Sequence, residues 1–256
     1  DGRKISYALG VVVTNENGIR KVAHGGSTAG YQTFLSRYPD LKLSIAVMCN
    51  GASRSPAALE RDIFNEIAGP FPAPKPPDTI ELKPEELQKY VGLWRNEKTH
   101  MPERTVVENG LLRLAGQTVL RPLRDGSFLG GSARIRFQMG TDGKPISVEV
   151  DTGEAVNRYI AEAQWTPAPD ELKSFAGVWH SDESDATFTI AVENDKAFFV
   201  QRPNTRLQLR PQFKDHFSIG LGQVIWVTRD ANGRITKLHV GAGRMRDMPF
   251  ERVGGK

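Results

Sequence analysis

Pro84-Glu85-Glu86-Leu87-Gln88-Lys89-Tyr90-Val91-Gly92-Leu93-Trp94 returns further along the chain as Pro169-Asp170-Glu171-Leu172-Lys173-Ser174-Phe175-Ala176-Gly177-Val178-Trp179, an offset of 85 residues. Val107-Glu108-Asn109-Gly110 returns at the same offset as Val192-Glu193-Asn194-Asp195. Later landmarks drift by a few residues, as loop insertions require: Arg121-Pro122 to Arg210-Pro211, Phe128 to Phe217, and Asp142-Gly143 to Asn232-Gly233. Two units of this size are too few and too long for a solenoid and read as two copies of one small domain.

Each copy opens on a short helical turn, Pro84–Tyr90 or Pro169–Phe175, and continues in strand signals. Thr187–Val192 alternates, Asn194-Asp195 supplies a turn, and Ala197–Val200 follows; Val224–Val227 and Ile235–Leu238 flank Asn232-Gly233 in the same way. Many short strands in so short a unit point to a small antiparallel barrel, in which closure removes exposed edges. Trp94 and Trp179 are expected to plug the two cores.

Upstream of the repeat, Pro70-Phe71-Pro72-Ala73-Pro74-Lys75-Pro76-Pro77 can be neither helix nor central strand, because alternating proline removes backbone donors and fixes φ. It reads as a stiff linker. The expected organisation is therefore a first part over 1–69, a linker over 70–81, and barrels over 82–166 and 167–256. In the first part Tyr7–Val13, Gly18–Ala23, Tyr31–Tyr38 and Leu43–Met48 read as successive antiparallel strands. Ser55-Pro56 starts a helix with an apolar face of Leu59, Ile63, Phe64 and Ile67, and Gly69-Pro70 stops it. Four strands and a helix make a thin core, so the segment reads as the end of a larger α/β domain.

Composition excludes several classes. The chain has 256 residues with 39% hydrophobic and 25% charged, ordinary for a globular protein. Its net charge of +4 is spread out: residues 1–70 carry 8 Lys+Arg against 6 Asp+Glu, and 81–166 carry 12 against 12. No basic stripe with interleaved aromatics exists, so no nucleic-acid partner is expected. Apolar runs such as Leu9–Val13 and Ile45–Cys49 fall far short of a bilayer span, so no membrane is expected. The single cysteine, Cys49, is read as core and excludes an internal disulfide framework. The start at Asp1 suggests a processed chain or part of a longer polypeptide.

Five residues carry the candidate site. His24-Gly25-Gly26-Ser27-Thr28 lies between two strands; paired glycines let a backbone or ligand approach closely, and a histidine there can donate or titrate near neutral pH. A tight strand connection with an incidental histidine is the competing reading. His100, His180, His216 and His239 stand at no metal-ligand spacing, and Asp182, Glu183 and Asp185 read as a solvated turn. No metal and no cofactor are expected. Gly241–Asp247 reads as a barrel connection.

With those residues in view, Tyr7–Gly69 resembles the C-terminal end of the catalytic domain in the serine β-lactamase and penicillin-binding-protein family, in its class C-like esterase and peptidase branch. That family's third motif is often Lys-Thr-Gly on a strand, with His-x-Gly as the branch variant; His24-Gly25-Gly26 matches the variant. Ser27–Tyr31 resembles its continuation, and Ile45–Asn50 followed by Pro56–Ala68 resembles the closing strand and helix. Two following barrels narrow the resemblance to the D-aminopeptidase type.

The resemblance implies an α+β fragment, antiparallel strands plus a C-terminal helix, followed by two all-β antiparallel lipocalin-like barrels. It implies a serine hydrolase (peptidase, amidase or esterase) working through an acyl-enzyme. His24 would orient substrate and the catalytic proton network, the Ser27 backbone N–H would be an oxyanion-hole donor, and Gly25, Gly26 and Thr28 would contact the substrate.

Two departures shape the expectation. No Ser in the chain has Lys three residues on, and no Tyr or Ser has Asn two residues on. The nucleophile and base must therefore come from a partner, the N-terminal portion of the same enzyme carrying Ser-x-x-Lys and Tyr-x-Asn. The substrate would be a small molecule or peptide, in a bacterial-type cytoplasmic or periplasmic protein of undetermined compartment that could also be a homo-oligomer. Second, the hairpin around Ser218–Gln223 is short for the loop that selects free amino termini in D-aminopeptidases, leaving room for an esterase, amidase or other peptidase. The competing function is a non-catalytic lipocalin-like binding module with an adaptor segment, although the Phe and Trp content of each copy argues for filled interiors.

Overall fold

A computed structural model gives the fold and describes residues 4–16, 18–51, 54–69, 77–220, 222–243 and 245–254. Most of the proline linker, residues 70–76, lies outside the described residues. Two compact units emerge, 1–78 with 151–156, and 79–150 with 157–256.

In the first unit, five antiparallel strands form one meander in chain order: β1 (Tyr7–Ala8), β2 (Val11–Glu16), β3 (Ile19–Thr28), β4 (Tyr31–Tyr38) and β5 (Leu43–Cys49). Leu9 and Gly10 both have positive φ and make a turn, so the expected strand Tyr7–Val13 is two strands. Helix α1 (Pro56–Ala68) packs on one face. Its Ser55 occupies the N-cap position without a side-chain capping bond, and Pro56 takes the first turn.

The helix turns a different face inward than its apolar residues suggest. Pro56, Glu60 and Phe64 are buried, one per turn, while Ile63 and Ile67 are exposed. Phe64 stacks on Tyr38 at 3.9 Å, and Ile45 completes the small core. Glu60 is fully buried and accepts hydrogen bonds from Ser36 Oγ at 2.5 Å, Tyr38 Oη at 2.7 Å and Lys21 Nζ at 2.9 Å. Burial by itself raises the Glu60 carboxyl pKa; the bonds from Ser36, Tyr38 and Lys21 outweigh it and hold the group below the usual range.

The second unit holds both repeat copies. The first copy forms a closed eight-stranded barrel from β6 (Gly92–Asn96), β7 (Pro102–Glu108), β8 (Leu111–Leu114), β9 (Thr118–Pro122), β10 (Phe128–Gly130), β11 (Ala133–Met139), β12 (Pro145–Asp151) and β13 (Val156–Glu162). The second forms a nine-stranded sheet from β14 (Gly177–Ser181), β15 (Ala186–Glu193), β16 (Lys196–Gln201), β17 (Thr205–Gln208), β18 (Arg210–Pro211), β19 (His216–Ser218), β20 (Gln223–Arg229), β21 (Ile235–Ala242) and β22 (Met248–Arg252). Its terminal strands β17 and β18 are joined through Leu209 but do not pair. The helices α2 (Pro84–Leu87) and α3 (Pro169–Lys173) each have proline at the first position and a glutamate reaching back, Glu86 to Lys83 N–H and Glu171 to Ala168 N–H.

Fold class is where the expectation fails. The chain is mostly β, in three sheets of which one is a closed barrel and one nearly closed, and not an α+β fragment followed by barrels. The reason is physical: each strand-to-strand connection in the first unit is short and joins antiparallel neighbours, so its strands pair sequentially and one helix covers one face. Trp94 and Trp179 are buried at the centres of their copies. No helix among the described residues is long and apolar enough to cross a membrane.

Candidate functional site

Strand β3 outruns its neighbour. Its first half, Ile19–Ala23, pairs with Glu16–Val12 of β2, but His24–Thr28 pairs only with β4. The stretch is thus the end of a strand and not a loop between strands. It reverses through Ala29 and Gly30, both at positive φ, a two-residue turn of the kind that matches strand twist.

That turn fixes which backbone groups are free. Thr28 and Tyr31 flank a two-residue loop and exchange hydrogen bonds, so the next pair, Ser27 and Gln32, points its N–H and C=O groups outward. The same parity runs from the other end: Ile19, Lys21 and Ala23 direct their groups toward β2, and Gly25 and Ser27 continue that series past the point where β2 ends. The Gly25 and Ser27 amides therefore face an edge that no described strand occupies. Parallel donors on an unpaired edge can bind a carbonyl oxygen or an oxyanion.

His24 is exposed, with Nε2 3.4 Å from the Tyr7 hydroxyl. A tyrosine contact to this histidine was not part of the motif reading; Tyr7 comes close because the Leu9-Gly10 turn folds β1 back along β2. The glycines have a structural use in addition. A Cβ on Gly26 would lie 2.8 Å from Thr33 Oγ1, and one on Gly25 would lie 3.3 Å from the Phe34 ring. The cross-strand side chains thus fill the space above both residues, and the backbone edge is left open. Gly25, Gly26 and Ser27 line a cleft of about 340 Å³ with Phe34 and Pro56. His24, Gly25 and Tyr7 line a neighbouring cleft of about 330 Å³ with Arg61. Thr28 ends the strand, outside both linings.

Alternation places His24, Gly26 and Thr28 on the sheet face opposite α1, in rows with Leu35, Thr33 and Tyr31 of β4. This face carries apolar side chains in water: Leu35 is 57% exposed and Met48 81%. On the α1 face, the sequence reading missed the buried Lys21–Glu60 pair. Its one signal was a lysine at an alternating position between Ile19 and Ala23.

In the second unit, Trp226 stacks with two histidine rings, His100 at 4.1 Å and His239 at 5.2 Å, with His239 Nδ1 2.7 Å from Asp247. His216 is buried and stacked on Phe213. Burial pushes its imidazole pKa down to about 3, so it stays neutral. Among the described residues no group of three or more His, Cys, Asp or Glu is placed to hold a metal ion.

No protein-family model and no curated protein matches the chain. Among solved structures, it is similar to SurE with D-Leu (19% identity, TM-score 0.39, covering 59% of this chain and 38% of that one). It is similar to a second SurE structure (20%, TM-score 0.38, 59% and 37%). It is also similar to the octameric penicillin-binding protein homologue from Pyrococcus abyssi (14%, TM-score 0.26, 81% and 39%). The chain spans less than two fifths of the length of each of these structures.

Proposed function

We propose that this chain supplies the substrate-receiving edge of a serine acyl-transfer hydrolase, a peptidase, amidase or esterase of the β-lactamase-like type. The observation that carries the reading is the open edge of β3, where the Ser27 N–H faces outward within one strand end of the exposed His24. In this reading the nucleophile and base, in Ser-x-x-Lys and Tyr-x-Asn motifs, belong to an N-terminal portion of the same enzyme. The exposed face of Leu35 and Met48, on the side of His24, supports a covering partner of that kind.

The chemistry follows. The partner's serine oxygen attacks the substrate carbonyl carbon as its proton passes to the partner's base, and negative charge develops on the carbonyl oxygen. The Ser27 N–H donates to that oxygen, an interaction strongest in the transition state. Collapse expels the leaving amine or alcohol with a proton and leaves an acyl-enzyme, which water then cleaves. His24 orients the substrate, and the Gly25 amide offers a second outward donor to it. A D-aminopeptidase preference is the finer form of this reading; the sequence around Ser218–Gln223, of which Leu221 lies outside the described residues, is short for the selecting loop and leaves room for an esterase, amidase or other peptidase.

A backbone donor is tested by proline. Because the Ser27 N–H is not part of the β3–β4 ladder, Ser27→Pro removes it without breaking a strand bond. In the assembled enzyme, kcat/KM for p-nitrophenyl esters is expected to fall about 10²–10³-fold in Ser27→Pro and to stay near wild type in Ser27→Ala. His24→Ala is expected to lose on the order of 10²–10³ as well. Full activity in a folded Ser27→Pro enzyme would overturn the assignment.

A further inference from the structure

The two repeat copies place different residues at the same interior positions. Arg95 pairs with Pro102 in β6–β7, and His180 pairs with Thr187 in β14–β15, so Met101 corresponds to Ala186 and Glu103 to Phe188. In the first copy the position of Ala186 is held by the larger, half-buried Met101 and that of Phe188 by Glu103, whose carboxyl pKa burial raises above the usual range. In the second copy the smaller Ala186 and the apolar Phe188 stand there instead, and a cavity of about 390 Å³ opens.

The cavity has a built wall and a defined chemistry. Phe188, Phe199, Val240 and Phe250 are buried residues of the core and form its floor. Met245 and Met248 are half-buried at its side, and flexible thioethers adapt to ligands of varied shape. The polar side chains at the wall are uncharged, chiefly Gln201, Gln223 and Thr205; no charged residue lines it among the described residues. It lies at the end of the sheet marked by the start of β15, the end of β16 and the start of β17. The volume falls within the range of small-molecule sites, which are mostly apolar with a few placed polar groups.

From this we infer that the second copy binds one small neutral molecule, an acyl or aryl compound ending in a hydrogen-bonding amide, ester or hydroxyl group. The apolar body lies against Phe188, Phe199 and Phe250, and Gln201 and Gln223 meet the polar end. An anion or cation is disfavoured, because no charge in the wall offsets its desolvation. The site is separate from the β3 edge and does not depend on hydrolase activity.

The test uses the full chain and the neutral fluorescent probe N-phenyl-1-naphthylamine. Saturable binding at about one probe per chain is expected, with long-chain aliphatic amides displacing the probe better than the corresponding carboxylates. Ala186→Trp, which fills the cavity from the position of Met101, should weaken binding at least 10-fold. Should that variant not fold, Met248→Glu reads the same site by placing a charge in the wall. Folding is checked by circular dichroism and thermal melting. A double variant on the exposed face of the first unit, Leu35→Ser with Met48→Ser, should leave binding unchanged. Absence of saturable binding, unchanged binding in folded cavity variants, or loss of binding in the first-unit variant would each overturn the inference.

Discussion

The sheet of β1–β5 and the barrel of β6–β13 are both antiparallel, and they end in opposite ways. The barrel returns to itself, hides Trp94, Leu112 and Phe128 inside, and leaves no unpaired edge. The sheet stops with half of β3 unpaired on one side and with Leu35 and Met48 in water. Between its covered face and α1 lies a small cluster of Tyr38, Ile45 and Phe64, with Ile19, Leu43 and Val47 half-buried against it, beside the buried Lys21–Glu60 pair. A closed element is complete in itself, whereas an open one has donors and apolar surface left over for something else. The function proposed above accordingly uses the open sheet.

The second copy stands between these extremes and sharpens the contrast. Trp179 donates its indole N–H directly to the Phe175 carbonyl at 3.1 Å. In the first copy a hydroxyl intervenes: Trp94 donates to Thr105 Oγ1 at 2.9 Å, which donates to the Tyr90 carbonyl at 2.5 Å. Ile190 takes the place of Thr105. One frame thus accepts two internal solutions, a polar relay in the closed barrel and an apolar interior with a cavity in the open-ended one.

The largest stability effect expected concerns His216, which corresponds to the hydrogen-bonded Ser127 of the first copy. Unfolded, its pKa returns to about 6.5; folded, it is about 3. Between those values the unfolded chain binds the extra proton, so this stabilisation is full above pH 6.5 and is lost as pH falls toward 3. The span corresponds to roughly 5 kcal/mol at full titration. Urea unfolding of the second unit from pH 7 to pH 4 should show a smaller loss in His216→Phe than in wild type.

Next comes the barrel plug. Trp94→Ala should destabilise the first copy by about 3–5 kcal/mol in denaturant unfolding, because a closed barrel cannot collapse around the void. Comparable in size, and decisive for the sheet, is Glu60→Gln, which removes the nearer and buried counter-charge of Lys21 and leaves only Glu16 at 3.6 Å. About 3–5 kcal/mol is expected, with the double variant Lys21→Met, Glu60→Leu recovering much of it. The wild-type contribution exists above the unfolded carboxylate pKa and disappears as pH falls through the lowered folded value, so the Glu60→Gln penalty should shrink in acid. Smallest is Thr105→Val, which breaks the relay and leaves the Trp94 N–H and Tyr90 carbonyl unpaired. About 1–3 kcal/mol is expected by thermal melting. If the first copy could adopt the direct Trp-to-carbonyl bond of the second, the cost would vanish.

Much of this was legible in the chain. The repeat located both copies, and Asn-Asp and Asn-Gly turns between alternating segments located their hairpins, because turn chemistry is a local property. Three features were not legible. Glu60 reads as solvent-facing in any apolar pattern; its burial depends on Lys21, Ser36 and Tyr38, which arrive from two strands. The class of the first unit was read from a resemblance to a larger domain, while its own short turns make a sheet meander. The cavity is lined by side chains from several strands, and a count of aromatic residues cannot tell a filled interior from one whose Phe residues line a space. At the candidate site, His24-Gly25-Gly26 was visible as a motif. The direction of the Ser27 N–H was not, since it follows from where β2 stops.

The central claim is that the β3 edge receives an acyl group whose nucleophile lies on another polypeptide segment, and fluorophosphonate labelling followed by peptide mapping tests it most directly. This chain alone should remain unlabelled. Assembled with a polypeptide that carries the Ser-x-x-Lys and Tyr-x-Asn motifs, the proposed enzyme should label on a serine of that polypeptide, at a rate lowered about 10²–10³-fold by Ser27→Pro and unaffected by Ser27→Ala. Stoichiometric labelling of a serine within the present chain, or labelling of the assembled enzyme at the same rate in folded Ser27→Pro, would contradict it.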